Sequence, residues 1–217
     1  MIVNNRIEEY ICSLDEGLPD YLLTIEKEAL DDEVPIIKRP TQNLIRFILR
    51  HYNIHKVLEV GTAVGFSSIF MTEYLGKDCK ITTIENNKSR IIKAHENIKR
   101  AGRESQINVI EGDATVELAK INDVFDMIFI DAAKGQYNNY FNDIISKLKT
   151  GGILISDNVL QDGDIVNSRY AVTRRNRTIH SRMREYLYMI THNDMVDTIV
   201  LPVGDGVTIS IKKWKWV

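Results

Sequence analysis

The chain has 217 residues, with 28 Lys and Arg against 30 Asp and Glu and a formal net charge of −2. That length suits one α/β domain with a sizeable core, expected over 1–217, and the near-balanced charge excludes a protein that coats polyanions over its whole surface. Cys12 and Cys79 stand far apart in no metal-like spacing and read as small buried thiols; with no secretory leader and no apolar run long enough to span a bilayer, a cytoplasmic protein without a membrane partner is expected.

The first 53 residues read as a helical cap. Asn4 to Leu14 sets Ile7, Ile11 and Leu14 on one helical face, and Tyr21 to Leu30 does so with Leu22, Ile25 and Ala29. Pro35 and Pro40 bracket an extended stretch, and Thr41 reads as the N-cap of a helix over Gln42 to His51. From Lys56 the pattern alternates. Strands are expected at 57–60, 80–85, 107–111, 125–131 and 152–156, with helices at 67–75, 87–101, 114–119 and 137–148 between them. Such alternation predicts a mostly parallel sheet over 56–217, covered by helices on both faces. A polar stretch follows Asp157. A helix marked by Ile179, Met183, Leu187 and Ile190 comes next, then strands 196–201 and 207–211, close enough in sequence to pair antiparallel at the sheet edge.

The run Leu58-Glu59-Val60-Gly61-Thr62-Ala63-Val64-Gly65-Phe66-Ser67 is a strand, a glycine turn and a helix start. Glycines let a backbone approach a ligand, and a helix N-terminus offers N–H donors. A dinucleotide fingerprint needs a third, middle glycine to seat a pyrophosphate. Its absence, with Glu59 just ahead of the turn, favours a nucleoside carrying a cationic or amino end, such as S-adenosylmethionine. Glu59, Gly61, Gly65 and Ser67 are therefore candidate cofactor residues, and an ordinary strand-to-helix turn stays open as the plainer reading.

Acidic side chains recur where strands end. Glu59, Glu85 and Asp131 close three strands, Asp113 lies just past another, and Asp157-Asn158 follows the fifth. In a parallel sheet these ends share one edge, so the acids are expected to converge on one cleft. Glu85, twenty residues past Gly65, is placed to accept hydrogen bonds from ribose hydroxyls, with a loop-capping role ahead of Asn87 as the alternative. Asp113 and Ala114 are placed to flank an adenine. Asp131, Asp157 and Asn158 are hard oxygen donors that suit Mg²⁺, Mn²⁺ or Ca²⁺; an Asx turn is the alternative for the last two.

Three motifs, Glu59-Val-Gly-Thr-Ala-Val-Gly-Phe-Ser, Ile130-Asp131-Ala-Ala-Lys134-Gly-Gln-Tyr137 and Ser156-Asp157-Asn158-Val159-Leu160, resemble those of the cation-dependent O-methyltransferases. That family includes the catechol and caffeoyl-coenzyme A enzymes. The second motif reads much like that of the bacterial tRNA 5-hydroxyuridine methyltransferases. The resemblance spans roughly Pro35 to Ile211. It implies a Rossmann-like class I methyltransferase fold with a seven-stranded sheet, S-adenosylmethionine as donor with Asp131 among its contacts, and a cation on Asp131, Asp157 and Asn158. It also implies a catalytic base at Lys134 and a homodimer. Caffeoyl-type enzymes usually carry a second Asp directly before the lysine. This chain has Ala133 there, which argues against a coenzyme A thioester as substrate.

Methyl transfer from a sulfonium needs a deprotonated, aimed acceptor oxygen. Lys134 beside a metal charge is expected to take that proton, with an ion pair to Asp131 or Asp157 as the alternative. Two open metal positions suit neighbouring oxygens, which a catechol and a 5-hydroxyuridine both offer. The segment from Arg169 to Arg184 holds Arg169, Arg174, Arg175, Arg177, Arg182, Arg184 and His180 and no acid. Arginines pair with phosphates and stack on bases, which points to a tRNA anticodon loop. The alternatives are a solvated helix face and pairing with the acidic N-terminal helices of a second subunit, since the first 33 residues hold ten acids against Arg6 and Lys27.

Overall fold

In a computed structural model, which describes residues 3–132, 134–168, 170–174 and 176–214, with all their side chains except those of Lys134 and Asp162, the apolar run Val57–Val60 lies at the heart of a seven-stranded sheet. The strands are β1 (Lys56–Val60), β2 (Lys80–Glu85), β3 (Ile107–Glu111), β4 (Phe125–Ile130), β5 (Leu148–Ser156), β6 (Val196–Leu201) and β7 (Val207–Lys212), in the order β3-β2-β1-β4-β5-β7-β6. The first five are parallel. β7 runs antiparallel to β5, and β6 antiparallel to β7. In register, Val60 faces Ile84 on one side and Ile130 on the other, and Ile130 faces Ser156. The carboxyl ends of these strands therefore finish level at one rim. The chain winds outward from β1 in both directions, so the switch point of the sheet lies between β1 and β4.

Both faces are covered. One is packed by α2 (Asp20–Asp31), α3 (Arg39–His51) and α4 (Phe66–Tyr74), through Leu22, Ile25, Ile45, Ile69 and Phe70. The other is packed by α6 (Ala114–Lys120), α7 (Tyr137–Lys147) and α8 (Arg177–Thr191), through Leu118, Phe141, Ile144, Met183 and Tyr186. α5 (Lys88–Arg100) contributes Ile98 to the first core. Central strands buried on both sides need continuous apolar runs, and Met127–Ile130 and Ile153–Ile155 supply them. α1 (Asn5–Ser13) buries no residue, and its apolar side chains Ile7, Tyr10 and Ile11, with Leu14 at its C-cap, stay exposed.

Several expectations are corrected. α3 starts at Arg39, with Lys38 as its N-cap. Pro40 fits the first turn because no N–H is needed there, so Thr41 lies inside the helix. β5 starts at Leu148; the glycines that suggested a break fall at an irregularity in its pairing with β4. The polar stretch after Asp157 holds a 3-10 turn, Gln161–Val166. Cys79 is buried, but Cys12 is only partly so.

The N-terminal acids are partly consumed at home. Asp15 pairs with Arg46, Glu16 with Arg50, Glu26 with Arg39 and Glu28 with Arg100. If the cap shares the core of the sheet, Leu22→Ala, at a fully buried site, lowers stability by about 2–5 kcal/mol within a single urea transition. A second, earlier transition in that variant alone would show that the cap unfolds by itself.

Candidate active site

The rim at the switch point is built on one forced contact. Gly61, just past β1, has φ +108° and lies against the main chain after β4; a Cβ placed on it would stand 2.0 Å from the Asp131 carbonyl oxygen. Only glycine fits there. The ladder continues past the strands: Gly61 N–H donates to Ile84 O (3.0 Å), Asp131 N–H to Val60 O (2.9 Å), Asp157 N–H to Ile130 O (2.9 Å) and Gly112 N–H to Glu85 O (2.9 Å). Above this edge opens a cavity of about 530 Å³. That size suits a nucleoside-bearing ligand. Residues at or just past the ends of β1, β2, β3, β4 and β5 all reach its wall, among them Gly61, Glu85, Asp113, Ala114, Asp131 and Asn158.

Glu85 is almost buried and holds the first turn together. Its Oε2 accepts from Ala63 N–H (2.9 Å), and its Oε1 from Asn86 N–H (3.0 Å) and Asn87 N–H (2.9 Å). The helix cap itself is Asn87, whose Oδ1 takes Ser89 N–H and Arg90 N–H. Asp113 caps α6 through Thr115, whose hydroxyl and N–H hold its carboxyl below the usual range. Glu59, Gly65 and Ser67 sit behind the wall, and Asp157 is buried beside it, so two of the five expected acids, Glu59 and Asp157, do not line the cleft. Glu59 is one residue short of the strand end, and strand alternation sends its side chain to the face under α4. There it accepts from Thr83 Oγ1 (2.6 Å) and from Ser68, and its other oxygen is buried with no partner. Burial pushes its carboxyl up, against the pull of the Ser67, Ser68 and Thr83 hydroxyls. Gly65 caps α4 and packs on Ala94, and Ser67 follows, nearly buried.

Asp131, Asp157 and Asn158 are brought together. Asn158 Nδ2 donates to Asp131 Oδ1 (2.7 Å), and Asn158 N–H donates to Asp157 Oδ1 (2.7 Å). Asn158 holds φ +61°, a left-handed conformation that asparagine tolerates better than most residues. Tyr137, the first residue of α7, donates its hydroxyl to Asp157 O (3.0 Å). Burial, then the nearby Asp131 and Asp157 charges, drive its pKa well up, so it remains a donor. Among the described residues no cluster of three His, Cys, Asp or Glu exists. The donor set is thus two carboxylates and an amide, hard oxygens that fit a Mg²⁺-type cation once the Asn158 amide turns its oxygen inward. The cavity also fits S-adenosylmethionine: three acids line it against one basic residue, Arg90, which suits a cationic ligand better than a diphosphate.

Lys134 opens a 3-10 turn, Lys134–Gln136, three residues past Asp131; its side chain, like Ala133, lies outside the described residues. So do Arg169 and Arg175. Arg174 is exposed, Arg177 stands 5.6 Å from the Tyr170 ring centroid, and Arg182 donates to Gly135 O (3.0 Å) at that turn. Arg184 donates to Ile165 O (3.1 Å). Among the described residues none of these four arginines pairs with a carboxylate. His180 leaves the basic row, because it faces the core and is 2% exposed. The cavity wall also includes Pro35, Ile36, Ala63, Gln136 and Tyr140, which the sequence reading missed. Pro35 alone carried a signal, as a proline fixing an extended segment between helices.

The raised Glu59 carboxyl gives a pH prediction. A carboxyl lifted above its ordinary 4.5 makes the folded state bind an extra proton, so stability is greatest below that value and falls as pH rises through the folded-state pKa. In cofactor-free protein, Glu59→Gln is expected to gain on wild type by about 1.4 kcal/mol per pH unit across that interval. Thermal melts from pH 4 to 9 test this, and a flat difference would refute it.

Comparison with known proteins agrees with this geometry. The family model described as O-methyltransferase matches residues 18–213. A catechol O-methyltransferase of Niastella koreensis is 30% identical over 97% of this chain and 100% of its own length. A Staphylococcus aureus structure, inferred to be a caffeoyl-CoA O-methyltransferase, is 33% identical over 94% of this chain and 98% of its own, with a TM-score of 0.88. A Podospora anserina methyltransferase solved with S-adenosylhomocysteine is 25% identical over 97% and 95%, with a TM-score of 0.86. With the motifs, the rim and these relatives in agreement, the chain belongs to the O-methyltransferase family and is an S-adenosylmethionine-dependent O-methyltransferase.

Proposed function

We propose that the enzyme methylates the 5-hydroxyl of 5-hydroxyuridine in a tRNA anticodon loop, in a reaction that depends on a divalent cation. The observation that carries this reading is the basic segment beside the site. Arg174, Arg177 and Arg182 follow directly on the cation loop, Arg182 touches the turn that begins at Lys134, and none is neutralised by a described carboxylate. The exposed Tyr170 ring, backed by Arg177, offers a stacking face for an unpaired base. Pairing of these arginines with the acidic cap of a second copy is the weaker account, because four of the cap's ten acids are already engaged within the chain.

When bound, the donor supplies an electrophilic methyl group, and the cation a positive charge that favours an ionised acceptor. In this reading Glu85 holds the ribose hydroxyls, Asp113 and Ala114 flank the adenine, and Asp131 joins them in contacting the donor. Asp131, Asp157 and Asn158 hold the cation, and Tyr137 fixes the Asp157 main chain. Lys134 takes the acceptor's proton. Pro35 and Ile36 line the cavity from the N-terminal segment. A second reading, methylation of a small catechol-like phenol, is favoured by the full-length similarity to the Niastella enzyme. A homodimer is supported by the uncovered apolar face of α1, and equilibrium sedimentation tests it.

Purified enzyme with S-adenosylmethionine and Mg²⁺ is expected to methylate tRNA lacking the modification, to prefer it to catechol, and to stop on addition of EDTA. In a strain without the protein, nucleoside mass spectrometry is expected to show 5-hydroxyuridine in place of 5-methoxyuridine. Activity on catechol alone would establish the second reading. For binding, Arg174→Gln and Arg182→Gln are each expected to lower the slope of log affinity against log salt by about 0.7. Slopes equal to wild type would remove both residues from the RNA surface.

A further inference from the structure

The cation loop is held in place by a segment distant in sequence. Asn158 keeps its left-handed backbone, which costs free energy in a non-glycine residue unless neighbours impose it. The two N–H groups that follow it, on Val159 and Leu160, donate to Gly206 O (2.9 Å) and Asp205 O (3.0 Å). Both acceptors lie in the turn joining β6 and β7. Gly206 has φ +88°, and a Cβ there would stand 2.7 Å from the Leu160 nitrogen, so the turn can approach the loop only without a side chain. The turn is itself tied down. The Asp205 carboxylate pairs with the Lys38 ammonium, the carboxylate largely shielded and the ammonium half exposed. Lys38 is the N-cap of α3 and lies two residues past Ile36, which lines the donor cavity.

We propose that Lys38 and Asp205 are positioning residues for Asn158. The pair fixes the β6–β7 turn, the turn fixes Val159 and Leu160, and these hold Asn158 with its side-chain amide on Asp131 and its backbone N–H on Asp157. This rests on the cation-dependent reading of that trio. A half-exposed ion pair contributes little to global stability, so its loss acts on the geometry of the loop more than on the fold. Groups that orient metal ligands from behind typically matter tenfold or more in metal affinity.

The test measures Mn²⁺ affinity by electron paramagnetic resonance, using the full chain saturated with S-adenosylhomocysteine, alongside metal-free thermal melts. Lys38→Met and Asp205→Asn are each expected to weaken Mn²⁺ binding about tenfold. The charge-swapped double variant, Lys38→Asp with Asp205→Lys, is expected to recover to within about threefold of wild type while the metal-free melting temperatures of all three variants stay near wild type, a combination that a merely structural role would not produce. Single variants that bind Mn²⁺ as wild type does, with or without a lowered melting temperature, overturn the proposal. So does a double variant as weak as the worse single one. A wild-type chain that binds no Mn²⁺ would instead remove the cation reading on which the proposal stands.

Discussion

The close approach of Gly61 to the Asp131 carbonyl governs the site. Two parallel strands that leave the switch point in opposite winding directions must still end side by side, and their continuations must diverge around a ligand. The main chain after β1 passes the main chain after β4 too closely for any side chain at position 61, and the ladder bonds from Asp131 to Val60 and from Asp157 to Ile130 carry the same edge on to β5. The cavity and the Asp131–Asp157–Asn158 cluster therefore meet at one rim, where Asp131 and Asn158 belong to both. The course of the main chain along this rim follows from sheet register and not from flexible side chains, so it is set during folding.

Behind that edge the polar groups are divided between those satisfied by the protein and those left open. Glu85 has three backbone donors and shapes the turn whether or not a ligand is present. Glu59 is different. Its carboxylate is fully buried, one oxygen has no partner, and burial raises its pKa. A buried polar atom without a partner is a cost that well-packed interiors usually avoid, and where it persists it tends to sit near function. Its place under the Gly61–Gly65 turn, one layer from the cavity, matches that tendency.

The sheet was legible because its strands are buried on both faces and so spell continuous apolar words, and because glycine, asparagine and aspartate punctuate the turns. Helix starts were less so. Thr41 looks like a cap, but the first turn needs no N–H from Pro40, and the helix begins before it. The acidic strand ends were readable as a row, yet alternation along β1 turns Glu59 away from the cleft by a single residue. Ile36 and Tyr140 could not be read as wall residues, since their role depends on how the N-terminal segment and α7 fold back over the rim. His180 shows the same limit from the other side: a polar residue in a basic run, placed by helical phase in the core with Met183 and Tyr186.

The direction of β7 has a consequence for assembly. Because it runs against β5 and the other parallel strands, its starting end meets the finishing end of β5, and the residues that stiffen position 158 arrive nearly fifty positions later in the chain. At ordinary translation speeds that is a lag of roughly 2–10 s between synthesis of the loop and synthesis of the turn that braces it. The loop after β5 can therefore take its final hydrogen bonds only once the last hairpin has been made.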